Sequence, residues 1–218
     1  GFEALILTDA DVVRVDYGLP FFRNLFAFSY EEPALLSEGN LDEYLEEIER
    51  VDAAMGELVL IDGVESRPFY YWSNVLGGGP WRLHGWNKRQ ITVGLGAAAS
   101  YAELPVSGGP GLWVWHWTSL LMLWPLCGVA WALLADSTPI WARGAVGVLS
   151  LLCLIDNVPF KVPEWGPYTG DLGTAPYQRY IDAVNERGGF TFWVAPDHRE
   201  GMELFGGQIG ALCPPATM

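Results

Sequence analysis

Positive charge is scarce in this chain. Twelve Lys and Arg residues face twenty-six Asp and Glu, and the formal net charge is -14 over 218 residues. A nucleic-acid surface needs a basic patch to neutralise phosphates. The few cations here are scattered, so nucleic acid is excluded as the expected partner. Cysteine is equally thin. Cys127, Cys153 and Cys213 form no CxxC or His-paired spacing, which removes zinc-ribbon and dithiol chemistry. Cys127 and Cys153 sit inside apolar runs and read as packing residues. A phosphate cradle of the strand, Gly-rich loop, helix type is also missing, because Gly77-Gly78-Gly79-Pro80 is poorly suited to opening a helix. No signal-peptide pattern stands at Gly1, and the chain reads as an internal piece of a longer protein.

Apolar residues are plentiful. They make up 50% of the chain and include eleven tryptophans, against 17% charged residues. The excess is concentrated. Leu112 to Ala135 contains no Asp, Glu, Lys or Arg, and opens with Trp113, Trp115 and Trp117. A bilayer core of about 30 Å needs about 20 apolar residues in a helix, and tryptophans favour its edge. Asp136-Ser137-Thr138-Pro139 then reads as a turn. Ile140 to Ile155 is apolar apart from Arg143, whose long side chain can reach the interface. Residues 112–158 are therefore expected to form a transmembrane helical hairpin inserted between two parts of one domain, 1–111 and 159–218. Arg143 at the connecting turn places that turn in the cytoplasm and the main domain outside it.

The flanks alternate strand and helix. Leu5 to Leu7 predicts a short buried strand that delivers Asp9 and Asp11 at its exit. Tyr17 to Tyr30 is aromatic and reads as a loop with room for one helical turn. Leu41 to Met55 carries an apolar stripe at helical spacing, with Asn40 as its cap and Gly56 as its end. Leu58 to Ile61 predicts a second buried strand, with Asp62 and Glu65 at its exit. Gln90 to Leu95 predicts another strand, and Gly96 to Pro110 a loop. Ala175 to Arg187 predicts a helix capped by Thr174, with Tyr177, Tyr180, Ile181 and Val184 on its buried face. Phe190 to Val194 is the strand that follows, leading to Asp197 and His198. This order implies an α/β domain built on a parallel sheet or barrel. Loops leaving parallel strands converge at their C-terminal ends, where carboxylates collect into sites.

Three stretches, Gly1 to Asp9, Ile61 to Glu65 and Tyr180 to Pro196, resemble in order the PHP (polymerase and histidinol phosphatase) family. The resemblance implies a distorted (β/α)7 barrel, here partial. It also implies a metal-dependent phosphoesterase, with divalent Mn, Zn or Mg at the strand exits and a small phosphoester as substrate. It is similar to membrane-anchored members with inserted helices. Glu65 matches the family's bridging metal carboxylate, and Asp9 matches its motif aspartate. Two family histidine positions are occupied by Ala10 and Ala195, which have no donor atom. Arg89 or Asn87 takes a third, and Arg89 there would place a fixed cation where a metal sits. Asp11, Asp197 and His198 are nearby donors displaced by a residue. Catalytic candidates are thus Asp9 and Glu65, and metal-ligand candidates are Glu65, Asp9, Asp11, Asp197 and His198. The alternative is a PHP-like binding or scaffold module without catalysis.

Overall fold

The computed structural model describes residues 3–18, 22–56, 58–73, 82–115, 117–157, 162–194, 201–204 and 207–210. The elements in order are β1 (Ala4–Ala10), β2 (Val13–Gly18), β3 (Ala27–Glu32), α1 (Leu41–Met55), β4 (Val59–Ser66), β5 (Tyr71–Ser73), β6 (Arg82–His84) and β7 (Gln90–Val93). They continue with α2 (Ala98–Ala102), β8 (Trp113–Val114), a 3-10 segment (Trp117–Leu123), α3 (Pro125–Leu134), α4 (Ile140–Asn157), β9 (Val162–Pro163), α5 (Ala175–Glu186), β10 (Phe190–Trp193), β11 (Gly201–Leu204) and β12 (Gly207–Gly210).

The chain divides into two units. The first comprises Gly1–Val15, Tyr30–Leu112 and Trp165–Met218. Its centre is a four-stranded sheet in the order β1-β4-β7-β10. β1 and β4 are parallel, joined through α1 with Ala4 opposite Val59 and Ala10 opposite Glu65. The α/β expectation holds at this level. The all-parallel expectation does not, because β7 runs antiparallel to β4, and β10 antiparallel to β7. Among the described residues the sheet is open, with β1 and β10 at its edges, and no closed barrel forms.

The core of this unit gathers Val12, Leu35, Leu41, Val64, Tyr101, Leu104, Val106, Tyr180 and Val184. The first turns of the predicted stripe of α1 are packed, since Leu41 and Ile48 are buried and Tyr44 and Leu45 lie against the core, whereas its last member, Met55, is exposed. Gly56, at φ 63°, ends that helix as expected. On α5, Tyr177, Tyr180 and Val184 are buried as expected, with Ala183 beside them; Ile181 is only half-buried. Neither Asn40 nor Thr174 makes the expected side-chain cap; Asn40 donates to Glu38 instead. Two further expectations are corrected. β1 is an edge strand with Leu5 exposed, not a buried one, because apolar composition does not report whether a second neighbour covers the strand. The stretch Gly96 to Pro110 contains α2, a helix too short to show periodicity.

Gly188 and Gly189 turn the chain from α5 into β10. Gly188 sits at φ 81°, where only glycine is unstrained. A Cβ on Gly189 would lie 2.6 Å from Leu95 Cδ2 and 2.8 Å from the carbonyl oxygen of Val93. Gly189→Ala should therefore cost about 1–3 kcal/mol by overpacking. Urea denaturation reads this directly, and an unchanged midpoint would contradict the tight packing.

The second unit comprises Asp16–Ser29 and Trp113–Glu164. The charge-free run is not one helix. Trp124 precedes α3 with Pro125 at its first turn, so the proline starts a helix that sequence reading placed around it. α3 and α4 pack as an antiparallel pair. Gly128 lies so close to Ser150 that a Cβ would fall 2.1 Å from its Oγ. Arg143 closes the tip: it donates to the carbonyl oxygens of Ala132 (2.8 Å) and Leu133 (2.9 Å) and pairs with Asp136 at 3.2 Å. Tyr17 to Tyr30 is also corrected. It holds the end of β2 and most of β3, paired strands rather than a loop, around a turn at Phe22–Phe26. Periodicity over six residues is too brief to separate such strands from loop. α4 is long and apolar enough to cross a membrane, and only 11% of that stretch is buried.

Candidate functional site

The sheet brings the carboxylates of β1 and β4 to one end, as the two strands end in register. Ala10 lies opposite Glu65, and the amide of Asp11 donates to the Glu65 carbonyl at 3.0 Å. The neighbouring strand β7 places Ile91 opposite Glu65 and Gln90 opposite Ser66. Arg89 immediately precedes β7, and its own carbonyl accepts from Val194 at 3.1 Å, which anchors it between β7 and β10. From there the Arg89 guanidinium reaches Glu65, Nη1 to Oε1 at 2.6 Å. Both side chains are mostly buried, 19% and 15% exposed. A pair so shielded is screened far less by salt than a surface pair.

Asp11 enters a different environment. It is 1% exposed, and its Oδ2 accepts from Ser66 Oγ at 2.5 Å while Oδ1 accepts from the Val12 amide at 2.5 Å. Burial pushes its carboxyl up to about 7, against the opposing pull of those hydrogen bonds and of Arg67. Tyr180 shares a hydrogen bond with Thr92 Oγ1 at 2.7 Å, and burial beside Asp11 holds its phenol well above the ordinary range. Arg67 stacks over Trp86 at 4.5 Å. Asp11, Ser66, Tyr180 and Thr92 thus form a buried polar chain inside the core. Sequence reading missed Ser66, Arg67 and Tyr180 as polar partners. The signal for Asp11 was present in Val12, Val13 and Val15, all buried.

Asp9 is exposed and its Oδ1 accepts from the next amide, Ala10, at 2.7 Å. Asp62 points elsewhere and accepts from Tyr101 at 2.7 Å. His84 bonds Ser73 Oγ at 2.8 Å and stacks on Tyr71, and burial lowers its pKa. Ala195, Asp197 and His198 lie outside the described residues. Among the described residues no three His, Cys, Asp or Glu side chains converge to hold a metal ion. A divalent centre is implied by the family resemblance, but the described residues do not fit one. Ala10 offers no donor, Asp11 is engaged internally, and Glu65 already carries a cationic partner that would repel a second cation.

A groove of about 620 Å³ opens between α1, β4 and α2. Its walls carry Asp42, Glu46, Glu49 and Asp52 over a floor of Leu45 and Leu60. Walls of that sign repel anions such as phosphoesters. No protein-family model matches this chain, and neither a curated protein nor a solved structure matches it.

Proposed function

We propose that the chain is a membrane-anchored, PHP-like α/β module that binds or scaffolds without hydrolysing, with the Glu65–Arg89 ion pair standing where a metal centre would sit. The observation that carries this reading is the 2.6 Å contact between the Arg89 guanidinium and Glu65 at the strand exits. A guanidinium remains charged at every physiological pH and cannot ionise a bound water, so it supplies the site's positive charge without its reactivity. Ala10, opposite Glu65 on β1, reinforces the reading by removing a donor from the same end. In this reading the four-stranded sheet is one arc of the distorted (β/α)7 barrel. The parallel β1-α1-β4 unit supports that, and the antiparallel β7 and β10 are its departure. Membrane attachment rests on the length and exposed apolar surface of α4 and on the charge-free run before it.

Phosphoester hydrolysis retains one supporting observation, the backbone register that ends β1 and β4 together and so puts Asp9, Asp11 and Glu65 at neighbouring strand ends, although their side chains do not converge. One experiment separates the two readings. The full-length protein, purified in detergent, is analysed for Mn, Zn and Mg and assayed with a generic aryl phosphate. The expected result is substoichiometric metal and no turnover above buffer. Stoichiometric metal with turnover, both lost in Glu65→Gln, would overturn the non-catalytic reading.

A further inference from the structure

Asp156 occupies an unfavourable place for a carboxylate. It lies in the last turn of α4, where the helix dipole is negative, and it is 8% exposed. Its partners explain it. Oδ1 accepts from the backbone amides of Asn24 (2.8 Å) and Leu25 (2.7 Å), and the Asn24 side chain donates back to the Asp156 carbonyl at 2.6 Å. The turn at Phe22–Phe26 is thereby clamped to the base of the α3–α4 pair. Asn157 fixes a second segment to the same base by donating to the Met122 carbonyl at 2.8 Å. The 3-10 segment ending there exposes Trp117 and Leu121, each 72% exposed, and is followed by Trp124. The clamped turn leads into Phe26 and Phe28, also exposed. Two distant stretches of chain, each tied to the same end of the hairpin, therefore carry exposed large aromatics next to the tie, while the other end is the polar Asp136–Arg143 tip.

We propose that Phe26 and Phe28, held by Asp156, join Trp117 and Trp124 as a collar that seats in the interfacial layer of a phospholipid bilayer. This rests on the membrane anchoring proposed above and assigns a lipid contact to a segment far from the hydrophobic run. The dimensions support it. The eighteen residues of α4 rise about 27 Å. That is close to the hydrocarbon thickness of about 30 Å, so a base at one interface leaves the charged tip at the other. Exposed aromatic rings prefer that interface to either bulk phase, and the charged groups near Phe28, such as Asp16 bonded to Ser29, suit the headgroup side of it. The overall charge of -14 makes a zwitterionic lipid surface a better occupant than an anionic one.

The test uses full-length protein in phosphatidylcholine vesicles, with Cys127, Cys153 and Cys213 replaced by Ser. An environment-sensitive fluorophore is placed at Phe28→Cys, at Leu149→Cys on the exposed face of α4, or at Glu47→Cys on α1. Nitroxide lipids labelled near the headgroup or deep in the chain then act as quenchers. Position 28 should be quenched about twofold more by the shallow nitroxide than by the deep one, position 149 in the reverse order, and position 47 by neither. Adding Asp156→Ala should abolish quenching at 28 and leave it at 149. Quenching at 149 with none at 28, or deep quenching at 28, overturns the collar while anchoring stands. Loss of quenching at both positions overturns the anchoring itself.

Discussion

Arg89→Ala should destabilise the α/β unit by about 2–4 kcal/mol, because it strands Glu65 in a mostly buried site without its cation. The loss exceeds that of a surface ion pair, for which the median is about 0–1 kcal/mol. The difference lies in exposure: the two side chains are 19% and 15% exposed, so neither carboxylate nor guanidinium can recover full hydration when its partner is removed. Replacing both partners by apolar residues of similar volume, Arg89→Met with Glu65→Leu, should recover most of the loss, since no charge is left buried. Urea denaturation of the parent, Arg89→Met, Glu65→Leu and the double variant gives the double-mutant cycle. A coupling of about 1.5 kcal/mol or more is expected. Strictly additive effects would mean that the contact is incidental, and would count against the proposal that the ion pair stands in for a metal.

Asp11→Asn should gain stability over the parent protein as pH rises from about 4 to about 7. The folded carboxyl is raised from 3.8 to about 7 by burial. Between those values the folded protein keeps a proton that the unfolded chain has released. Stability therefore falls as pH rises through that window, then levels off above it. The whole interval is worth about 4 kcal/mol at 1.36 kcal/mol per pH unit. Asparagine keeps a carbonyl to accept from Ser66 or Val12 and removes the titration. The difference between variant and parent should be small near pH 4.5 and largest near pH 8. A difference that does not change with pH would show that Asp11 ionises freely in the folded protein.

These two residues illustrate how legible the candidate site was. Glu65 stood out from its place after an apolar run, and Arg89, with Asn87 as the alternative, only from the family resemblance. That the two touch was not readable, because the contact depends on β4 and β7 being neighbours. Asp9 and Asp11 looked equivalent in the motif Thr8-Asp9-Ala10-Asp11. They are opposite in the fold, one exposed on an edge strand and the other sealed beneath Val12 and Tyr180. Two residues of separation carried them from the strand into the core entry, and no local pattern marks that passage. Asn24 was part of an aromatic stretch with no evident role until its contact with Asp156 placed it.

The helices α1, α4 and α5 and the strand β10 were set out by the sequence alone, within a residue or two of their ends. Apolar spacing, helix-ending glycines and the contrast with acidic flanks are all written within windows of ten to twenty residues. The long uncharged run likewise marked where the exposed apolar surface of α3 and α4 lies. Strand direction, the edge position of β1, the Glu65–Arg89 pair and the Asn24–Asp156 clamp were decided only by tertiary structure. The two side-chain contacts join residues 24 and 132 positions apart. The free energy of such contacts depends on which strands and helices become neighbours, a choice made by packing the whole core rather than by any one segment.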